Sequence, residues 1–329
     1  MSEKRDRLKA ALAMEYTDRP PISMWRHFYD QETSSDGLAK SMLEFQRLHN
    51  WDFMKVNPRA QYHVEDWGAT FQYTSDPYTG PTPIHVPITT AADWQKLEPL
   101  DPYQGALGEH IQALRIIKQG LDEDVPFVMT VFNPISIAGR LVKSQDVFLN
   151  HMEEWPSLVH NALNIITESY KEFVTACLNE GVDGIFFATT SWASHAILTD
   201  AQYQEFGRPY DIRVMESATE AEFNILHVCH SHNMLENLAN YPGVHALNWD
   251  ATDHTNPSLE DAQRFTKVPL LGGISRTTLL NGTPQDVIAE IRAAVAQAEG
   301  AAFILGPGCS ISPQCPESNL QALKQALHI

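Results

Sequence analysis

The sequence predicts an α/β fold, a single (β/α)8 TIM barrel with a helical extension at its N-terminus. Eight short apolar runs of strand length alternate mostly with stretches of helical period, and that alternation implies a parallel sheet. A length of 329 residues suits one barrel domain spanning 1–329. No Gly-x-Gly-x-x-Gly follows the first apolar run, which disfavours an open nucleotide-binding sheet.

Residues 4–15 have helix-forming composition, with Leu8, Ala11 and Leu12 on one face, and Pro20-Pro21 ends that segment. Ile22 to Trp25 is the first expected strand. Residues 36–50 read as a helix around Leu38, Met42, Phe45 and Leu48, followed by a second strand over 51–56. Residues 57–105 are rich in Pro, Thr, Tyr, Trp and Gly without a sustained period. A stretch this long is expected to hold small hairpins and to cover a site. Helix returns over 106–120, then a third strand over 127–132 and a helix from about Ile135. A long helical stretch, 148–179, is interrupted at Trp155-Pro156 and stops at Gly181. Strand four is 184–188 and a helix covers 200–220. Strands five to eight are 223–228, 244–249, 268–272 and 302–305. Before the last strand, Thr283 caps a helix with Pro284 at its first position, running to Gly300; a final helix covers 317–328.

Composition narrows the function. Lys and Arg number 23 against 41 Asp and Glu, a net charge of −18, which disfavours nucleic acid and anionic membrane as partners. No stretch approaches the roughly 18 unbroken apolar residues of a membrane span, and the charged N-terminus has no apolar segment behind it to form a secretory signal. Cysteines stand only at 177, 229, 309 and 315, too few and too irregular for a disulfide framework. A reducing cytoplasm is the expected location.

In a barrel of this kind active sites lie at the C-terminal ends of the strands. Residues just past the expected strands are Arg26, Asn57, Asn133, Thr189 to Trp192, His227, Cys229, Asp250, Gly273 and Cys309. His227 and Cys229 are two apart at the tip of strand five and point the same way. With Cys309 from strand eight they make a three-ligand set of the kind a catalytic zinc uses, which keeps a fourth position open. Spacing alone equally suits buried core cysteines and an ordinary histidine. His230 and His232 are either supporting groups or surface histidines. Cys315 competes as a third ligand, and Cys177 reads as core. Asp250 either orients a ligand or caps the next turn. Arg26 and Arg140 either hold a substrate anion or form surface ion pairs.

Several segments then resemble one family. Gly181 to Ala188, Leu198 to Tyr210, Gly272 to Pro284 and Ile304 to Pro313, with Pro316 to Asn319, are similar to the uroporphyrinogen decarboxylase superfamily across nearly the whole chain. The resemblance implies the barrel fold and two chemistries. The decarboxylase's arginine-rich loop reads Met24-Trp-Arg-His-Phe-Tyr29 here; only Arg26 matches, and Asp30 takes the second arginine position. Its Gly-His-Gly is Gly306-Pro-Gly308, its tyrosine position holds Arg140, and its aspartate position holds Asn57. The other branch comprises the methylcobamide:coenzyme M methyltransferases and corrinoid-linked demethylases. It carries His-x-Cys and a later Gly-Cys, matched by His227, Cys229 and Cys309.

That branch implies zinc on His227, Cys229 and Cys309. It implies a corrinoid (methylcobalamin), free or on a partner protein, and a small thiol or a folate as acceptor. Asp250 and Asn133 are the expected catalytic side chains, and Arg26, Asn57, Arg140 and Trp192 the expected substrate contacts. Residues 57–105 are the expected contact with the corrinoid, and a homodimer is one compatible assembly. The alternatives are a porphyrinogen lyase, a demethylase using tetrahydrofolate, and a corrinoid- or metal-binding protein without catalysis.

Overall fold

The computed structural model describes residues 3–15, 17–121, 124–300 and 302–327. Seven parallel strands form one curled sheet in the order β1 (Met54–Val56), β4 (Phe127–Phe132), β5 (Gly184–Thr189), β6 (Ile225–Val228), β7 (Ala246–Trp249), β8 (Leu270–Ile274) and β9 (Phe303–Pro307). Strands β2 (Thr70–Gln72) and β3 (Thr82–His85) form a separate antiparallel hairpin. It falls inside the 57–105 segment, where small hairpins were expected.

The first expected strand differs. Residues 22–26 form no regular strand; they make isolated bridges, Ile22 to Leu305 and Arg26 to Ile311. They still fill the gap between β9 and β1. Ser23 N–H donates to Leu305 O (3.1 Å) and Leu305 N–H to Pro21 O (2.8 Å) on one side. On the other, Asp52 N–H donates to Ile22 O (2.9 Å) and Ser23 Oγ to Phe53 O (2.8 Å). Pro20 and Pro21 have no N–H to give, so the pairing cannot extend N-terminally of Ile22. Asp52, fully buried, fixes this stave by accepting from Ile22 N–H (2.8 Å), Arg7 (2.8 Å) and Arg19 (2.6 Å). The barrel therefore has seven regular strands and one irregular stave.

Helices cover the outside. The expected break at Trp155-Pro156 separates Gln145–Glu154 from Pro156–Asn179. The expected 200–220 helix is two, Asp200–Phe206 and Arg208–Glu216, because Gly207 and Pro209 interrupt it. Thr283 caps Pro284–Gln297 as the sequence indicates. The last helix is Glu317–Ala326, and residue 328 lies outside the described residues. One apolar cluster fills the space between sheet and helices; a smaller one lies inside the barrel around Trp25, Phe53, Phe186 and Ile225. Leu8 and Ala11 of the first helix, Glu3–Leu12, join that inner cluster and close the end opposite the strand tips. No helix of the described residues is long and apolar enough to cross a membrane.

Candidate metal centre

Parallel pairing puts His227 beside Ala188 of β5 and Asn248 of β7. Its imidazole is buried against the Phe186 ring, centroids 5.0 Å apart. Cys229 follows one residue past β6. Cys309 arrives from β9 through Gly308, where an added Cβ would lie 2.5 Å from the Asp250 Cα; only glycine lets the chain turn so close. One ligand atom from each of His227, Cys229 and Cys309 lies within 4.8 Å of the others.

Asn248 decides which imidazole nitrogen is free. Its Nδ2 donates to Leu271 O (2.9 Å) and Pro307 O (3.1 Å). Its Oδ1 is therefore turned to His227 Nδ1 at 2.7 Å, and as an acceptor it requires the proton on Nδ1. That leaves the Nε2 lone pair to bind a metal; metal-ligating histidines commonly donate their other N–H in this way. The two sulfurs are 3.8 Å apart and unbonded. Two sulfurs on one tetrahedral zinc, each about 2.3 Å from it, sit roughly 3.8 Å apart, so the donor set fits zinc. The Cys229 thiol donates to Cys309 and holds the Cys309 thiol well below its usual range, against the opposing effect of burial. The same bond, together with burial, pushes Cys229 up. The pair thus holds one thiolate readily.

The three side chains form one wall of a cavity of about 370 Å³ at the strand tips. Its charged lining is Lys55, Arg59, Arg140 and Arg276, with no Asp or Glu among the described lining residues. Arg59 is paired with Glu65 and Glu109. Arg140 and Arg276 form no hydrogen bond or ion pair among the described residues. Arg140 keeps contact with solvent, yet the surrounding protein lowers its pKa by desolvation. His63 is buried with both ring nitrogens unpartnered, and burial pulls its pKa down to about 3, ahead of repulsion from Arg140 and His110.

Of the expected contacts, Asn57 and Arg140 line this cavity with the three sulfur and nitrogen ligands. The others are turned elsewhere. Arg26 lies over the Phe28 and Phe45 rings (5.0 Å each) and donates to Pro313 O (3.1 Å). Trp192 packs in the core edge-on to Phe148, centroids 4.9 Å apart. Asn133 is buried and donates to Tyr203 Oη (3.2 Å) and Asp211 Oδ1 (3.1 Å). The Asp250 carboxylate accepts from Thr252 N–H (3.1 Å) and Oγ1 (2.6 Å), a local turn cap. Cys177 and Cys315 are buried in the core.

Lys55, His63, Asn248 and Arg276 were not singled out from sequence. Lys55 left a signal: it stands two before Asn57, so both face the barrel interior, and a lysine inside an apolar run is anomalous.

Comparison with known proteins now bears on this geometry. The family profile described as uroporphyrinogen decarboxylase (URO-D) matches residues 3–329. The chain belongs to the uroporphyrinogen decarboxylase family. Within that family it is similar to the methylcobamide:CoM methyltransferase of Methanosarcina acetivorans, 20% identical over 245 residues, covering 74% of this chain and 70% of that one. A methylcobamide:CoM methyltransferase of Methanosarcina barkeri is 28% identical over 224 residues, covering 66% and 62%. A uroporphyrinogen decarboxylase of Salmonella paratyphi B is also 28% identical, over 257 residues, covering 74% and 69%. Among solved structures, a methyltransferase from Methanosarcina mazei superposes with a TM-score of 0.82 at 23% identity, covering 99% of this chain and 98% of that one, which supports the shared fold.

Proposed function

We propose that this member of the uroporphyrinogen decarboxylase family is a methyltransferase that moves a methyl group from a methyl-corrinoid to a small acceptor thiol. The observation that carries the reading is the trio of His227, Cys229 and Cys309, with a sulfur–sulfur separation that suits zinc and a histidine tautomer fixed for ligation. The methylcobamide:CoM methyltransferase relatives support it, and so does the departure from the decarboxylase pattern at Asn57, Arg140 and Gly306-Pro-Gly308.

His227, Cys229 and Cys309 would hold the zinc. When bound, the ion supplies the positive charge that keeps an acceptor sulfur deprotonated near neutral pH. Asn248 keeps the His227 lone pair aimed at that position. The acceptor enters as a thiol and gives its proton to solvent. Its sulfur lone pair forms the bond to the methyl carbon, and the carbon–cobalt electron pair stays on the corrinoid. Arg140, unpaired in the cavity, receives an anionic group at the far end of the acceptor, and the free Asn57 Nδ2 and the neutral His63 offer hydrogen bonds. A cavity of about 370 Å³ is at the small end of ligand sites, roughly 300–1,000 Å³. It suits a compact acceptor, with the corrinoid macrocycle presented at the mouth.

The test is zinc-loaded protein with methylcobalamin and 2-mercaptoethanesulfonate (coenzyme M), read by formation of the S-methyl thioether. The expected outcome is thioether formation that falls at least about hundredfold in Cys309→Ala, as for loss of a group that acts as part of one unit. Full activity in that variant, or turnover of uroporphyrinogen III instead, overturns the reading.

A further inference from the structure

Lys55 is a buried lysine in β1, on the floor of the cavity. A buried ammonium ordinarily has a carboxylate partner. Lys55 forms no ion pair among the described residues; its hydrogen bond goes to the neutral Asn57 Oδ1 (2.5 Å). The nearby Glu32 carboxylate is engaged elsewhere, accepting from Phe28 N–H (2.9 Å) and Ala60 N–H (2.8 Å) and bonding His27 Nδ1 (3.0 Å). Two links tie Lys55 to the metal centre. Its Nζ lies 4.8 Å from the centroid of Phe186, and that ring stacks on His227. Asn57 Oδ1 also accepts from Ser310 Oγ (3.0 Å), the residue after Cys309, which leaves Asn57 Nδ2 buried and unpartnered. Burial pulls the Lys55 pKa down to about 7, opposed by the Cys309 sulfur, Glu32 and the Cys229 sulfur, so a further negative charge at the centre favours the ammonium form.

Charge counting then gives Lys55 a task. Two thiolates and a neutral imidazole would offset the charge of a divalent cation, so the loaded centre would have no net charge. An acceptor bound as thiolate adds one negative charge beside buried groups of the protein interior, where an unbalanced charge is costly. Once methylated, the same sulfur is neutral. We propose that the Lys55 ammonium supplies the balancing charge, making the centre select the thiolate acceptor over its S-methyl product. The attraction exists before methyl transfer and is lost after it, which favours acceptor binding and product release together. This rests on the methyl-transfer reading above and makes Lys55 a specificity-determining residue of that site.

The experiment titrates coenzyme M and its S-methyl thioether into zinc-loaded wild type, Lys55→Met and Lys55→Arg by calorimetry, with zinc content and melting temperature measured for each. Lys55→Gln stands in if the methionine variant does not fold. Lys55→Met is expected to weaken thiol binding by about tenfold or more, the scale of one unit charge acting over several ångströms in a protein interior. Thioether binding is expected to stay within about twofold, since the methylated sulfur carries no charge for Lys55 to balance, and Lys55→Arg to retain most of the thiol preference because the charge remains. Equal weakening of both ligands, the mark of a packing role, or no weakening of either overturns the role of Lys55 alone. A wild-type protein that binds neither ligand overturns the methyl-transfer reading, and this proposal with it.

Discussion

Asn248 shows how one side chain sets the chemistry of another. A neutral imidazole has two tautomers, and only one leaves Nε2 able to bind a metal. The two carbonyls of Leu271 and Pro307 capture the Asn248 amide hydrogens, so its oxygen can face only His227. Asn248→Leu keeps the approximate volume and removes this constraint. Zinc affinity, measured by competition with a chromogenic chelator, is expected to fall about 10–100-fold while the fold is retained. Unchanged affinity would mean that the tautomer is not held by this bond. From sequence Asn248 passed as one residue of an apolar strand. Its role becomes visible only when β6 and β7 pair and set it opposite His227.

At the level of elements, the strand tips explain what was legible. Apolar runs bounded by Gly, Pro and Asn placed β4, β5 and β9 to within a residue or two, and the two-residue period of β6 put His227 and Cys229 on one side. The apolar run at 22–25 marks the place of the first strand, but periodicity does not report that its pairing reduces to isolated bridges. Which way a side chain turns after leaving a strand was not legible either. Asp250 bends back to Thr252, and Asn133 turns under its helix to Tyr203 and Asp211. These outcomes depend on partners distant in sequence. The loop after Cys229 adds a feature of its own: His230 and His232 have φ of +70° and +52°, left-handed values that cost a non-glycine residue energy and recur where a loop is held for function.

Over the whole molecule, charge is distributed against its average. A chain of net −18 sets Arg140 and Arg276, whose side chains have no ion pair among the described residues, into a cavity whose described lining holds no carboxylate, which favours an anionic ligand at the mouth. Burial also sets the response to acid. His63 and His110 are held neutral, each with a pKa pulled down to about 3, chiefly by desolvation. His110 donates from Nδ1 to Ala106 O (2.7 Å) and accepts at Nε2 from Arg59 N–H (3.2 Å), a pattern only the neutral ring can make. In the unfolded chain a histidine titrates near 6.5, so between about 6.5 and 3 the unfolded state binds more protons. Stability contributed by the neutral rings is therefore full above about pH 6.5 and is lost as pH falls toward 3, with a slope approaching ~2.7 kcal/mol per pH unit for two protons. Urea unfolding across this range is expected to show that decline, and His63→Leu to lessen it by about half. An equally steep decline in that variant would assign the acid response to other groups.

The central claim is that His227, Cys229 and Cys309 form one zinc centre that takes up an acceptor sulfur. Zinc-edge X-ray absorption on the stoichiometrically loaded protein tests it most directly. The predicted first shell holds two sulfurs and one imidazole nitrogen from the protein, and coenzyme M adds a third sulfur. A shell without two sulfurs, or one that coenzyme M leaves unchanged, would contradict the account.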